Sequence, residues 1–307
     1  MKIAEAPPIA ESRPSLAVSL LKELRPKQWT KNALVLAGLV FSLRLLDFTA
    51  VGRAVAALLI FCAISSAAYI INDLADLERD RLHPLKRHRP IASGALSVSL
   101  ARVVAAALLL VSLAMAVLLS WQFALVALTY FGIVVLYSFY LKHIVLVDVF
   151  AISAGFVLRA VAGTVVLGVM LSPWLLVCTV LLSLFLALAK RRHELVLLAE
   201  GAGGHRQILD EYSKPFLDQM IGIVTSSTVI AYSLYTFDAE NLPENNSMML
   251  TIPFVLYALF RYLYLIYQRN EGGSPETLLL RDRPLLVTIL LWGLAAVLVL
   301  YHPWTLA

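Results

Sequence analysis

Asn72, Asp73, Asp76 and Asp80 stand together where a long apolar run turns abruptly polar, and Lys86, Arg87 and Arg89 follow within ten residues. The three carboxylates fall at i, i+3 and i+7, so a helix would carry them on one face. Carboxylates followed by a basic run can hold a divalent metal and phosphate together, because Mg²⁺ takes one or two carboxylates and completes its shell with phosphate oxygens. The plainer alternative is a solvated, salt-bridged loop. The place argues for the first reading, since an acid cluster at the mouth of a membrane helix needs a partner.

A second basic cluster, Lys190, Arg191 and Arg192 with Glu194, precedes Asp210, Glu211, Tyr212 and Lys214. Taken alone it reads equally as an anchor at a helix end. Arg159 is different, because it falls near the middle of an apolar segment, where a charge costs roughly 2.5–3.5 kcal/mol and needs a polar cavity or a partner. Asp148, about three turns earlier, lies on roughly the same helical face and is the expected partner. Lys142 and His143 end another apolar segment, and Arg261 lies near enough to a segment end to snorkel. His83 beside the acids has no second histidine at zinc-ligand spacing. No P-loop and no Ser-His-Asp or Cys-His arrangement is identifiable. The chemistry implied is displacement at a metal-bound phosphate or pyrophosphate, with one substrate reaching in from lipid.

Elements must position these groups, and the composition says which. Hydrophobic residues fill 60% of 307 positions and only 15% are charged, which excludes a soluble domain and predicts an all-α integral membrane protein. Residues 1–14 read as a disordered tail without a cleavable signal. Residues 15–25 place Leu16, Leu20, Leu21 and Leu24 on one face of a short interfacial helix. Pro26 breaks it, and Trp29 is expected at headgroup depth between Lys27 and Lys31. Residues 1–32 thus form a tail and amphipathic helix ahead of a transmembrane domain at 33–307.

Nine spans are expected, at about 33–48, 51–73, 98–119, 121–141, 144–168, 173–190, 215–237, 250–268 and 284–302. Lys and Arg crowd one alternating set of connections, whereas the other holds only Arg44 and Arg53. The polar loops and the N-terminus are therefore expected in the cytoplasm and the C-terminus outside. Gly201, Gly203 and Gly204 predict a flexible loop after the sixth span. Polar loops after spans 2 and 6 hint at two four-helix halves. Cys62 and Cys178 read as buried small hydrophobes.

The run Asn72-Asp73-x-x-Asp76-x-x-x-Asp80, continued by His83-Pro84-x-Lys86-Arg87-x-Arg89-Pro90-Ile91, resembles the first acid signature of the UbiA-type intramembrane prenyltransferase superfamily. The resemblance implies nine transmembrane helices around a lipid-open cavity with a polar cytoplasmic cap. RPKQWTKN at 25–32, Leu158-Arg159-Ala160 with Ala162-Gly163, Lys190-Arg191 with Glu194, Tyr212, and Leu280-Arg281-Asp282-Arg283 are similar to its branch that acts on polyprenyl phosphates with a phosphoribosyl donor. A departure agrees with that branch. Aromatic-substrate members carry a second D-x-x-x-D pair, where this chain has Asp210 followed by Lys214.

The implied reaction transfers a 5-phosphoribosyl group from 5-phosphoribosyl 1-diphosphate to a polyprenyl phosphate such as decaprenyl phosphate, releasing pyrophosphate with Mg²⁺. The implied location is the bacterial plasma membrane. Asn72 and Asp76 are the first choice of metal ligands, with Asp73 and Asp80 ligating or orienting. Lys86, Arg87 and Arg89, with Lys31, Lys190 and Arg191, would hold donor phosphates. Tyr69 would position ribose or phosphate. Lys142 and Arg159 would hold the acceptor phosphate or the donor's deeper end, and Glu194 and Tyr212 complete the substrate set. The competing readings are a prenyltransferase acting on an aromatic or quinone precursor and a non-catalytic carrier of phosphorylated lipid. Membrane lipid is an expected partner and nucleic acid is not, and a homo-oligomer would suit such a bundle.

Overall fold

The computed structural model describes residues 15–84, 86–199, 207–239, 242–243 and 245–301. The expected tail at 1–14 and the glycines at 201–204 lie outside them. The described elements are helical. α1 is Leu16–Glu23, α2 Ala37–Phe41, α3 Phe48–Ala75, α4 Leu77–Leu82, α5 Val98–Leu119 and α6 Trp121–Phe139. α7 is Val147–Leu167, α8 Pro173–Ala199, α9 Lys214–Asp238, α10 Ile252–Gln268, α11 Pro275–Arg281 and α12 Arg283–Tyr301. Side chains cap several starts. Asp47 Oδ1 accepts from the backbone N–H groups of Thr49 and Ala50 at the head of α3, and Ser97, Ser120 and Ser213 do the same for α5, α6 and α9.

Among the described residues, eight helices are long and apolar enough to cross a membrane. α3 is the central one, with 61% of its most apolar window buried, whereas α5 and α12 are outer helices at 17% each. Val103, Leu110, Val111 and Leu118 of α5 are more than half exposed, as a lipid-facing stripe requires. Among the described residues the buried apolar side chains form four clusters, two of them large. Phe61, Phe123 and Tyr130 knit α3 to α6 and α7, while Phe185, Leu217, Tyr262 and Leu265 knit α8 to α9 and α10.

The first expected span, 33–48, is not a continuous α-helix. The chain runs as a 3-10 helix over Pro26–Leu36, continues as α2, and turns at Leu43, whose φ is 59°. Its contacts descend α3 in antiparallel order. Arg25 meets Asp73, Trp29 Nε1 donates to Ser66 Oγ, and Asn32 Nδ2 reaches Cys62. At the far end Arg44 donates to the Leu167 carbonyl, the last residue of α7. The segment therefore traverses the bundle. Eleven 3-10 residues and five α residues rise about 30 Å, the thickness of a bilayer core. Close packing explains the unusual form, because a Cβ on Gly163 would lie 2.0 Å from the Val35 carbonyl oxygen. Backbone touches backbone there, as small residues permit between membrane helices.

The N-terminal elements pack against the bundle. Trp29 is half-buried against α3. In α1, Leu20 and Leu24 pack beside Ile70 and Ile91, Leu16 and Leu21 stay exposed, and Glu23 points inward, 1% exposed.

Candidate active site

The acid run is split. α3 ends at Ala75, Asp76 caps it with φ −92° and ψ 7°, and α4 begins at Leu77. The expected single face is therefore broken at Asp76, and its carboxylates separate. Asp73, 2% exposed, receives Arg25 at 2.5 and 2.7 Å and Arg89 at 2.9 Å. Arg89 also donates to Asp80 at 2.6 Å, tying α4 back to the end of α3. Asp76 turns elsewhere, with Lys142 at 3.4–3.5 Å. Arg25 achieves its reach from a left-handed backbone, φ 54° and ψ 57°, a conformation costing about 1–2 kcal/mol for a residue with a side chain. Its guanidinium also lies 5.0 Å from the Tyr69 ring centre.

Glu23 joins this cluster from α1, with neither carboxylate oxygen hydrogen-bonded among the described residues. Burial first, and then the charge of Asp73, push its pKa up to about 7. In its protonated form it is a donor facing Asp73.

Beneath the cluster opens a cavity of about 1690 Å³. Arg25, Lys31, Tyr69, Asn72, Lys190 and Glu276 line its polar end. Arg159 sits deeper, followed by apolar walls that continue to Trp174 and Trp292. Arg159 does not pair with Asp148. Its Nε donates to Asn32 Oδ1, its Nη1 to the Gly155 carbonyl and its Nη2 to Tyr130 Oη, each at 2.7 Å. All three partners are neutral, so they orient the guanidinium and leave its charge uncompensated by them.

Asp148 belongs instead to a buried network. Its carboxylate takes Arg191 Nε at 2.6 Å and Tyr212 Oη at 2.7 Å, and Arg191 also pairs with Glu194 and donates to Tyr137 Oη. Tyr212 Oη in turn accepts from the Leu146 backbone N–H. Arg191, Glu194 and Tyr212 are thus brought together with one another and lie off the cavity wall. Lys86 and Arg87 are exposed on the cap, also off that wall. Arg261 makes a two-bond pair with Asp282 at 2.8 and 3.1 Å.

Sequence reasoning missed Arg25, Gln28, Asn32, Tyr130 and Glu276 as parts of the site. Glu276, on α11, accepts from Gln28 Nε2 at 2.5 Å and stands 3.4 Å from Lys31 Nζ. Burial raises its pKa, but Lys31, Gln28 and Lys190 outweigh that and hold the carboxyl below its ordinary value. The signal available for the 3-10 segment was the polar run 25–32 ahead of an apolar one. Glu276 offered none, since its partner Gln28 lies 248 residues away.

Among the described residues no three metal-ligating side chains gather. The donors present still fit Mg²⁺. Asn72 lines the cavity, and Asp76 follows one turn later with its carboxylate 22% exposed. Two hard oxygen ligands are what Mg²⁺ uses when substrate phosphates supply the rest. Asp73 and Asp80 already face guanidinium groups, which suits them to hold the α3–α4 corner.

A cationic mouth over a long apolar cavity, inside a bundle of membrane-length helices, defines a polytopic membrane protein. Residues 33–194 match the UbiA prenyltransferase family, and the chain belongs to that family. It is 34% identical over 299 residues to the decaprenyl-phosphate phosphoribosyltransferase of Corynebacterium glutamicum, covering 94% of this chain and 88% of that one. To the Mycobacterium tuberculosis protein of the same name it is 35% identical over 282 residues, covering 91% and 93%. A UbiA homologue from Archaeoglobus fulgidus, solved bound to GPP and Mg²⁺, has the same fold, with a TM-score of 0.70 at 22% identity over 92% of this chain and 99% of that one.

Proposed function

We propose that this protein is a membrane phosphoribosyltransferase. The donor is 5-phosphoribosyl 1-diphosphate, the acceptor a polyprenyl phosphate, and pyrophosphate the leaving group. The observation that carries the reading is the placement of Lys31 and Lys190 at the polar end, with Arg159 deeper, in a cavity whose remainder is largely apolar. That division matches a phosphate head and a polyprenyl tail, and the phosphoribosyltransferase relatives span nearly the whole chain.

Lys31 and Lys190, at the polar end, hold the donor phosphates. Arg159 lies nearer the apolar walls, where the head of an entering lipid meets it first, so it holds the acceptor phosphate. Mg²⁺ held by Asn72 and Asp76 would neutralise charge on the departing pyrophosphate. The lipid phosphate, ionised at neutral pH, attacks the anomeric carbon as the bond to pyrophosphate breaks, through an oxocarbenium-like transition state. No strong base is needed. Preorganised cations and alignment of the two reactants supply the rate. Lys142, beside Asp76, steadies that ligand. Asp73, Asp80 and Arg89 fix the corner that presents it.

The polar end faces the cytoplasm of a bacterial plasma membrane, following the concentration of Lys and Arg in the loops on that side. The traverse over 26–41 then serves as a ninth crossing.

Purified protein, Mg²⁺ and decaprenyl phosphate, offered labelled phosphoribosyl diphosphate, should move label into the lipid phase. EDTA and Asp76→Ala should each abolish this. Transfer only from a labelled prenyl diphosphate to an aromatic acid would replace the reading with a prenyltransferase. Metal-independent lipid movement that survives Asp76→Ala would replace it with a carrier.

A further inference from the structure

The polar end of the cavity is arranged for anions, yet it contains a buried carboxylate. Two described acids line the cavity, and Asp238 is at the far end, where it accepts from Trp174 Nε1 at 3.0 Å. Glu276 is at the polar end, 9% exposed. Its Oε1 is used by Gln28 Nε2 at 2.5 Å, and Gln28 Oε1 in turn accepts from Lys31 Nζ at 2.5 Å. Its Oε2 completes no hydrogen bond among the described residues and has Lys31 Nζ at the longer ion-pair distance of 3.4 Å. Tyr262, on α10, is 3% exposed and also lines the cavity, its hydroxyl without a partner among the described residues. That leaves the Tyr262 hydroxyl, and Glu276 Oε2 with only the long Lys31 contact, open to a ligand in the cavity they line.

An ionised carboxylate can only accept, so its complement is a cation or a hydroxyl, and it repels phosphate. In the phosphoribosyl reading, on which this inference rests, the two substrates differ in that respect. Polyprenyl phosphate has no hydroxyl besides its phosphate, whereas the donor carries vicinal ring hydroxyls beside the reacting carbon. We propose that Glu276 and Tyr262 form the ribose subsite, with Glu276 Oε2 accepting from a ring hydroxyl of the donor. The subsite selects a hydroxylated pentosyl diphosphate. It also works against a prenyl diphosphate, which has no hydroxyl to offer the carboxylate.

The test compares kcat/KM for 5-phosphoribosyl 1-diphosphate and for its 2-deoxy and 3-deoxy analogues, on detergent-solubilised full-length protein with Mg²⁺ and decaprenyl phosphate. Wild type and Glu276→Gln are assayed with the same donors, so the intrinsic reactivity of each analogue cancels between proteins. Glu276→Gln should lower the natural donor's kcat/KM by about 10- to 100-fold while changing at least one deoxy donor little, so that the preference collapses. Tyr262→Phe, which keeps the ring's packing, should reduce the same preference by a smaller factor and serves if Glu276→Gln does not fold. An equal loss for every donor, or an unchanged preference in both variants, would overturn the subsite. A wild type that transfers from none of the three donors would instead overturn the phosphoribosyl reading, and the subsite with it.

Discussion

Asp73 and Asp76 are three positions apart and have opposite surroundings, which separates a structural carboxylate from a chemical one. Asp73 is buried between two arginines, and removing one member of a buried ion pair costs about 3–5 kcal/mol because the other charge is left uncompensated. Asp73→Asn should therefore lower the melting temperature markedly. Asp76→Asn should melt near the wild type and lose turnover, because its carboxylate is partly exposed with Lys142 no nearer than 3.4 Å. Thermal unfolding beside a transfer assay distinguishes the two, and a stable Asp73→Asn would refute the assignment. Glu23 gives a pH-dependent companion. Its folded pKa of about 7 lies above the ordinary 4.5, so its stabilising effect is complete below about pH 4.5 and fades as pH rises through 7. Glu23→Gln should be more stable than the wild type at pH 8, by at most about 3 kcal/mol, and the difference should vanish near pH 5. Melting curves at both values decide it.

At the scale of elements, the 3-10 traverse is what brings Lys31 to the cavity and Asn32 to Arg159, and it depends on a glycine of α7. Gly163→Ala would place a methyl 2.0 Å from the Val35 carbonyl, so the traverse must shift. Overpacking of this kind costs about 1–3 kcal/mol, and the shift carries Asn32 away from Arg159. Turnover should fall more than stability does. Gly222→Ala meets nothing within 4 Å on α9 and should be neutral or slightly stabilising, which a paired melting and activity measurement would show. The helices themselves were readable in the sequence because lipid exposure demands unbroken apolar runs. The form of residues 26–41 was not, since hydropathy has no term for backbone contact with Gly163. The same limit hid the partners of Arg159. Helical spacing suggested Asp148, but Asn32 lies 127 residues away, and burial left Asp148 to Arg191. Within the acid run, residue types announced metal chemistry, whereas the break at Asp76 that divides the carboxylates follows from tertiary contacts with Arg25 and Arg89.

For the whole molecule, the argument turns on which ends of the elements share a side. Arg25 touches Asp73 at the end of α3, and Arg44 touches Leu167 at the end of α7, so the chain changes sides between those two arginines. α3 then returns it over 28 residues, about 42 Å of helix. Single cysteines introduced in place of Lys27, Leu46, Glu78 and Asn245, after removal of Cys62 and Cys178, report this directly, because all four positions are exposed. A membrane-impermeant thiol reagent should label Lys27→Cys and Glu78→Cys from the cytoplasmic side in inverted vesicles. Leu46→Cys and Asn245→Cys should be labelled in intact spheroplasts. Labelling of Lys27→Cys and Leu46→Cys from one side would remove the ninth crossing. Labelling of Glu78→Cys from outside would invert the protein and separate its cationic mouth from a cytoplasmic donor. The expected pattern leaves the water-soluble donor entering past Lys31 and Lys190 while the lipid approaches Arg159 along the apolar wall, so the two substrates meet without either crossing the other's path.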